Sequence, residues 1–240
     1  AQDFPDAVVQ TSEGNSVILR TASMTQEQKL AIYSELRGQY GEFTAQQFVN
    51  VGPSVGAAVA QRAAGAVAAA SLAILLYIAW AFRKVPHPFR YGVAAIIAML
   101  HDVLVLVGLA AIVGHFLGWQ VDALFLTALL TVIGFSVHDT IVVFDRIREL
   151  RANHPRLPMA QVMNAAVLQT LSRSLNNSIT IIVMLLALVL LGGDTVRWFA
   201  VALLVGAVTG TYSSTFTAVP LLLVWEMFTS RRKAVASLQR

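Results

Sequence analysis

The sequence predicts an α-helical membrane protein with five transmembrane helices, preceded by a small α+β domain. Three observations predict it. First, 57% of the 240 residues are hydrophobic and 12% are charged, whereas a soluble domain carries about a quarter charged residues. Second, five apolar stretches, at roughly 63–82, 91–114, 123–144, 174–192 and 198–228, reach the length of about 20 residues that a helix needs to cross a bilayer. Third, lysine and arginine gather in alternate connections, the mark of the cytoplasmic side of a multi-spanning chain.

The first sixty residues hold six acids (Asp3, Asp6, Glu13, Glu27, Glu35, Glu42) and three bases (Arg20, Lys29, Arg37). Residues 1–52 read as a partial α+β domain. Ser16-Val17-Ile18-Leu19-Arg20 is a short strand-type run. A helix is expected from Thr25 to Gly38, because Thr25 and Gln28 fit a capping box and Leu30, Tyr33, Leu36 and Tyr40 recur at roughly helical spacing. Gly38 and Gly41 punctuate its end, and Phe43–Val51 is a second strand candidate. So few elements make a thin core, which calls for a partner or a further segment. The chain opens at Ala1 with polar residues and no visible signal peptide. It reads as a piece whose natural start lies upstream.

Residues 53–230 read as the transmembrane bundle, and 231–240 as a basic cytoplasmic tail. Arg83, Lys84 and Arg90 lie between the first and second spans. Arg146, Arg148, Arg151 and Arg156 follow the third, and Arg231, Arg232, Lys233 and Arg240 follow the fifth. The connections between them are poor in bases, so the C-terminus is expected in the cytoplasm and the N-terminal domain on the opposite side. This pattern accounts for the net charge of +4 without nucleic acid. In the fifth span Gly206 and Gly210, four apart, permit close helix approach. That stretch is long for one upright helix. With Thr209, Thr211, Ser213, Ser214 and Thr215 before Pro220, a tilt or kink is expected, with hydroxyls facing another helix.

Ionisable residues at bilayer depth are costly and usually face a bundle interior or a water path. Two His-Asp pairs lie inside spans. His101-Asp102 sits about eleven residues into the second span, or about 15 Å deep. His138-Asp139 lies toward the cytoplasmic end of the third span, and Arg173 stands where the fourth begins, ahead of Asn176, Asn177, Ser178 and Thr180. Asp139 and Arg173 are expected to meet across neighbouring helices as an ion pair that protonation of Asp139 weakens. The residues alone leave other roles open. Either aspartate can serve only to tie helices together, and the histidines only to pack. The four His and Asp groups can ligate a divalent metal, although neither pair has helical i, i+4 ligand spacing. There is no cysteine, no P-loop and no supported nucleophile–base arrangement, so no enzyme and no metal site are expected.

Thr131-Val132-Ile133-Gly134-Phe135-Ser136-Val137-His138-Asp139-Thr140, continuing through Ile141-Val142-Val143-Phe144-Asp145-Arg146-Ile147-Arg148-Glu149, resembles the hallmark of the SecF-type half of the SecD/SecF protein-export membrane family. Val51-Gly52-Pro53-Ser54-Val55-Gly56, His101-Asp102-Val103 and Gly210-Thr211-Tyr212-Ser213-Ser214 agree, so the resemblance covers roughly 43–228. It implies membership of the resistance-nodulation-division superfamily and an accessory role in the Sec translocase, with the proton-motive force promoting preprotein translocation across the bacterial or archaeal inner membrane. It implies that the five spans are spans two to six of a six-span half. The partners implied are a SecD-type half or subunit, the Sec translocon channel, unfolded preproteins and membrane lipids, with protons as the coupling ion and no other cofactor. Carried over residue by residue, it assigns Asp139 and Arg173 to the proton pathway. Many relatives have Asn where His138 stands, so His138 either shares the relay or replaces an amide. His101 and Asp102 join the candidate pathway, with Asp102 expected to weigh less than Asp139. The runner-up is a proton-coupled exporter of lipids or small molecules from the same superfamily. A purely structural translocon subunit and an intramembrane metalloprotease are the readings from other classes.

Overall fold

The computed structural model describes residues 7–12, 16–21, 24–46, 48, 53–117, 119 and 121–238. The chain divides into two compact units, Ala1–Ala64 and Gly65–Arg240.

In the first unit β1 (Val8–Ser12) pairs antiparallel with β2 (Ser16–Arg20), Val8 facing Arg20 and Ser12 facing Ser16. β2 is the expected strand. Its partner went unforeseen because Val8 and Val9 give way to polar residues, leaving no alternation to read. α1 (Gln26–Tyr40) has the expected capping box: the Gln28 N–H donates to Thr25 Oγ1 at 3.3 Å, and the Thr25 N–H donates to Gln28 Oε1 at 2.8 Å. Gly41 ends the helix at φ 86°, its N–H donating to the Arg37 carbonyl. Such a backbone suits glycine. Gly38 lies within the helix instead. No residue of α1 is buried. Of the expected strand Phe43–Val51, residues 43–46 and 48 have no regular structure, and the others lie outside the described residues.

α2 (Pro53–Ala81) begins in the first unit and continues into the second. There follow α3 (Pro88–Leu117), α4 (Ala123–Asn153), α5 (Met159–Leu191), α6 (Asp194–Ser213), one π turn (Ser214–Ala218) and α7 (Val219–Leu238). α6, the π turn and α7 run on as one rod. Among the described residues five helices are therefore long and apolar enough to cross a membrane, as expected. α4 and α5 extend past their apolar stretches, to Asn153 and back to Met159, where Arg151 Nη1 closes the turn on the Leu157 carbonyl at 2.8 Å.

α4 is the central helix. It packs against α3, α5 and α6, and its buried face runs from Phe125 to Leu150. Near its start Trp119, Phe125 and Trp198 cluster, with Trp119 and Trp198 stacked 5.2 Å apart. Near its other end Phe82, Tyr91 and Phe144 form a second cluster, covered by the Arg148 guanidinium 5.5 Å above the Phe82 ring. Along the α4–α6 seam a Cβ at Gly206 would overlap the Val132 side chain, and one at Gly210 would sit 3.3 Å from Ser136. Both glycines thus do what their spacing predicts.

The π turn precedes Pro220. A proline inside a helix has no N–H for the carbonyl four residues back, and its ring crowds that carbonyl. A π turn widens the backbone and absorbs the mismatch. This is the form taken by the irregularity expected in the fifth span.

Candidate functional site

Asp102 lies midway along α3, and Asp139 lies deep in α4. They are 1% and 6% exposed. Each is enclosed by hydroxyls from other helices. Asp102 Oδ2 accepts from Ser136 Oγ of α4 at 2.6 Å and from Ser213 Oγ at the end of α6 at 2.6 Å. The His101 ring places Nδ1 3.0 Å from Asp102 Oδ1. Asp139 Oδ1 accepts from Ser174 Oγ of α5, and Asp139 Oδ2 accepts from Ser214 Oγ of the π turn at 2.6 Å. One turn from Ser174, the Ser178 and Thr211 hydroxyls meet at 2.5 Å.

The helices set this geometry. The buried positions of α5 include Ala166, Thr170, Ser174 and Ser178, a stripe with a step of four. Ser136 lies one turn before Asp139 on the buried face of α4. The glycine seam brings α6 close enough for two successive serines to reach carboxylates. The expected ion pair between Asp139 and Arg173 is not formed. Arg173 is exposed and makes no ion pair among the described residues. The cause is helical phase: consecutive residues diverge by about 100°, so with Ser174 aimed at Asp139, Arg173 faces out of the bundle. His138 is exposed for the same reason, beside the buried Asp139. His101 is 40% exposed and touches only one edge of the site.

The structure thus brings together Asp102, Asp139 and one ring nitrogen of His101, and leaves Arg173 and His138 on the outer surface. Ser174 was not singled out by sequence, although the Thr170-Ser174-Ser178 step inside an apolar helix signals an inward polar stripe. No cluster of three or more His, Asp or Glu suited to a metal occurs among the described residues. Among the described residues both buried carboxylates are held by hydroxyls, with one imidazole beside Asp102, and neither is paired with a lysine or arginine.

The comparisons with known proteins agree with this architecture. Residues 31–228 match the family model described as protein export membrane protein SecD/SecF, C-terminal. The chain is 53% identical over 215 residues to the protein translocase subunit SecF of Thermobaculum terrenum, covering 90% of this chain and 68% of that one. It is 49% identical over 223 residues to the SecF of Anaerolinea thermophila, covering 92% and 72%. The crystal structure of SecDF from Thermus thermophilus, described as a translocon-associated membrane protein, matches with a TM-score of 0.73 at 34% identity, over 93% of this chain. The chain spans 30% of that longer SecDF polypeptide. With five apolar helices and these relatives, this is a multi-pass membrane protein, and it belongs to the SecD/SecF protein-export membrane family.

Proposed function

We propose that this protein is a SecF-type accessory subunit of the Sec protein translocase, in which proton passage through the membrane bundle promotes preprotein translocation. The observation that carries the reading is Asp139: a carboxylate 6% exposed, deep in the central helix and tied by hydrogen bonds to α5 and to the π turn. Protonating it turns an acceptor-only group into one that also donates. It therefore changes which hydroxyls α5 and the last span can present to it, and a local proton event becomes a repacking of helices. Asp102 and His101 extend the polar path toward α3.

A SecD-type half or subunit is the partner that the outer surface favours. His138, Arg173, Asn176, Asn177 and Thr180 are all exposed on this chain within apolar helices. Polar groups at that depth are disfavoured against lipid and pair with other helices. Arg173 contributes to the proton path from that surface, across the partner interface. The base-rich ends of the spans support a cytoplasmic C-terminus and an N-terminal unit outside the cytoplasm, where it and the partner's domains meet emerging unfolded preproteins beside the translocon channel. The protein acts as a transport component and not as an enzyme, with protons as its only coupling agent.

The test is preprotein translocation into inverted inner-membrane vesicles with and without this protein. Stimulation by the protein is expected to vanish when a protonophore collapses the gradient. Stimulation that survives the protonophore contradicts the reading.

A further inference from the structure

Ser213 and Ser214 are neighbours in sequence, yet each donates to a different carboxylate on a different helix: Ser213 to Asp102 of α3, and Ser214 to Asp139 of α4. Both serines are fully buried. Successive residues of a helix point about 100° apart, so a pair of this kind can serve two sites only where the backbone passes between them at fixed height and rotation. The π turn begins at Ser214. Its wider winding is a local departure from the regular helix, of the type that recurs at functional sites. On the same rod Gly206 and Gly210 fix the approach to α4. The third partner of Asp102, Ser136, stands one turn from Asp139 on α4. The two carboxylates are therefore joined twice, by the Ser213–Ser214 backbone and by one turn of α4.

We propose that Asp102 is a positioning residue for Asp139: by holding Ser213 it sets the rotation of the last span at which Ser214 reaches the Asp139 carboxylate. The inference deepens, and rests on, the reading of Asp139 as the proton-accepting group. It assigns the Ser213–Ser214 pair a role as the link between the two buried acids. Without the Asp102 anchor, the rod turns or shifts at the π turn and Ser214 no longer donates squarely to Asp139. The Asp139 carboxyl then has a different hydrogen-bond environment although no atom of Asp139, Ser214 or Ser174 has been changed.

Infrared difference spectroscopy of the full protein in lipid nanodiscs reads this directly. The Asp139 band is assigned by its loss in Asp139→Asn. In Ser213→Ala and in Asp102→Asn that band is expected to move in the same direction. In Thr209→Val it is expected to stay, because the Thr209 hydroxyl donates only to the Val205 and Gly206 carbonyls of its own helix. Ser213→Ala decides the matter alone if Asp102→Asn does not assemble. A band that does not move in Ser213→Ala overturns the proposal, as does an equal movement in Thr209→Val, which would show a general response of the rod. Proton-dependent export by Asp139→Asn, measured separately, tests the underlying reading, and either result can fail without the other.

Discussion

At the residue scale the site depends on which neighbour of a pair faces inward. Ser174 and Arg173 differ by one position, and so do Asp139 and His138. In both pairs the first is buried and the second exposed. The cost of a charge in the membrane favours pairing Asp139 with Arg173 when sequence alone is read. The helical phase of α5 gives that contact to a hydroxyl, because Thr170, Ser174 and Ser178 already occupy the inward stripe. A consequence follows for assembly. Had the two charges been paired, removing one would strand the other, at about 3–5 kcal/mol, and the double mutant would recover part of the loss. With Arg173 exposed, the assembly defects of Asp139→Asn and Arg173→Met in this protein without a SecD-type partner are expected to add within about 0.5 kcal/mol. Thermal unfolding of the two single mutants and the double mutant in detergent measures this. A double mutant clearly better than the sum would place the two residues in contact.

At the element scale the last span controls the geometry. α6 brings a hydroxyl to Asp102 and the π turn brings one to Asp139, and the glycine seam holds the span against α4. Gly206→Ala is expected to destabilise the bundle by about 1–3 kcal/mol, since its Cβ would overlap Val132. Val132→Ala in the same chain is expected to restore most of the loss. Unfolding midpoints of the parent and the two variants decide it, and a Gly206→Ala protein as stable as the parent would refute the close seam. Much of this element was legible in the sequence. The spacing of Gly206 and Gly210 gives the close approach, and Pro220 gives the irregularity. The kind of irregularity was not legible, because a proline in a helix is compatible with a kink, a tilt or a π turn, and neighbouring helices choose among them. Nor could the sequence say which hydroxyl meets which acid. That depends on rotation about the helix axis, and one residue of phase separates Ser213 from Ser214. The hairpin partner Val8–Ser12 stayed hidden for another reason: its side chains lack the alternation that a half-buried strand imposes.

At the scale of the whole molecule the charge pattern is what supports the proposed orientation. The arginine-rich ends of the helices are held in place by their own contacts: Arg90 pairs with Glu226 at 2.9 Å between α3 and α7, Arg146 donates to Gln169 of α5 at 2.7 Å, and Arg148 pairs with Asp145 at 2.5 Å. At the opposite end the Trp119–Trp198 stack supplies amphipathic rings of the kind that settle at a membrane interface. Single cysteines at Ser12 and Ser237 are therefore expected to react oppositely with an impermeant thiol reagent added to intact cells, Ser12→Cys labelling from outside and Ser237→Cys only after the membrane is opened. The reverse pattern would invert the topology. It would also put the proton path the wrong way round for an inward proton gradient to act on domains outside the cytoplasm.

The central claim is that a proton on Asp139 drives the movement that helps preproteins across. The direct measurement is proton-gradient-dependent stimulation of preprotein translocation in inner-membrane vesicles carrying the Asp139→Asn protein at wild-type abundance. Asparagine keeps the size of the side chain and resembles the protonated carboxyl, with one acceptor oxygen and a donating amide, but it cannot take up and release a proton in the physiological range. Stimulation is expected to fall to the level of vesicles without a gradient, while the protein remains assembled in the membrane. Full gradient-dependent stimulation in Asp139→Asn would contradict the account.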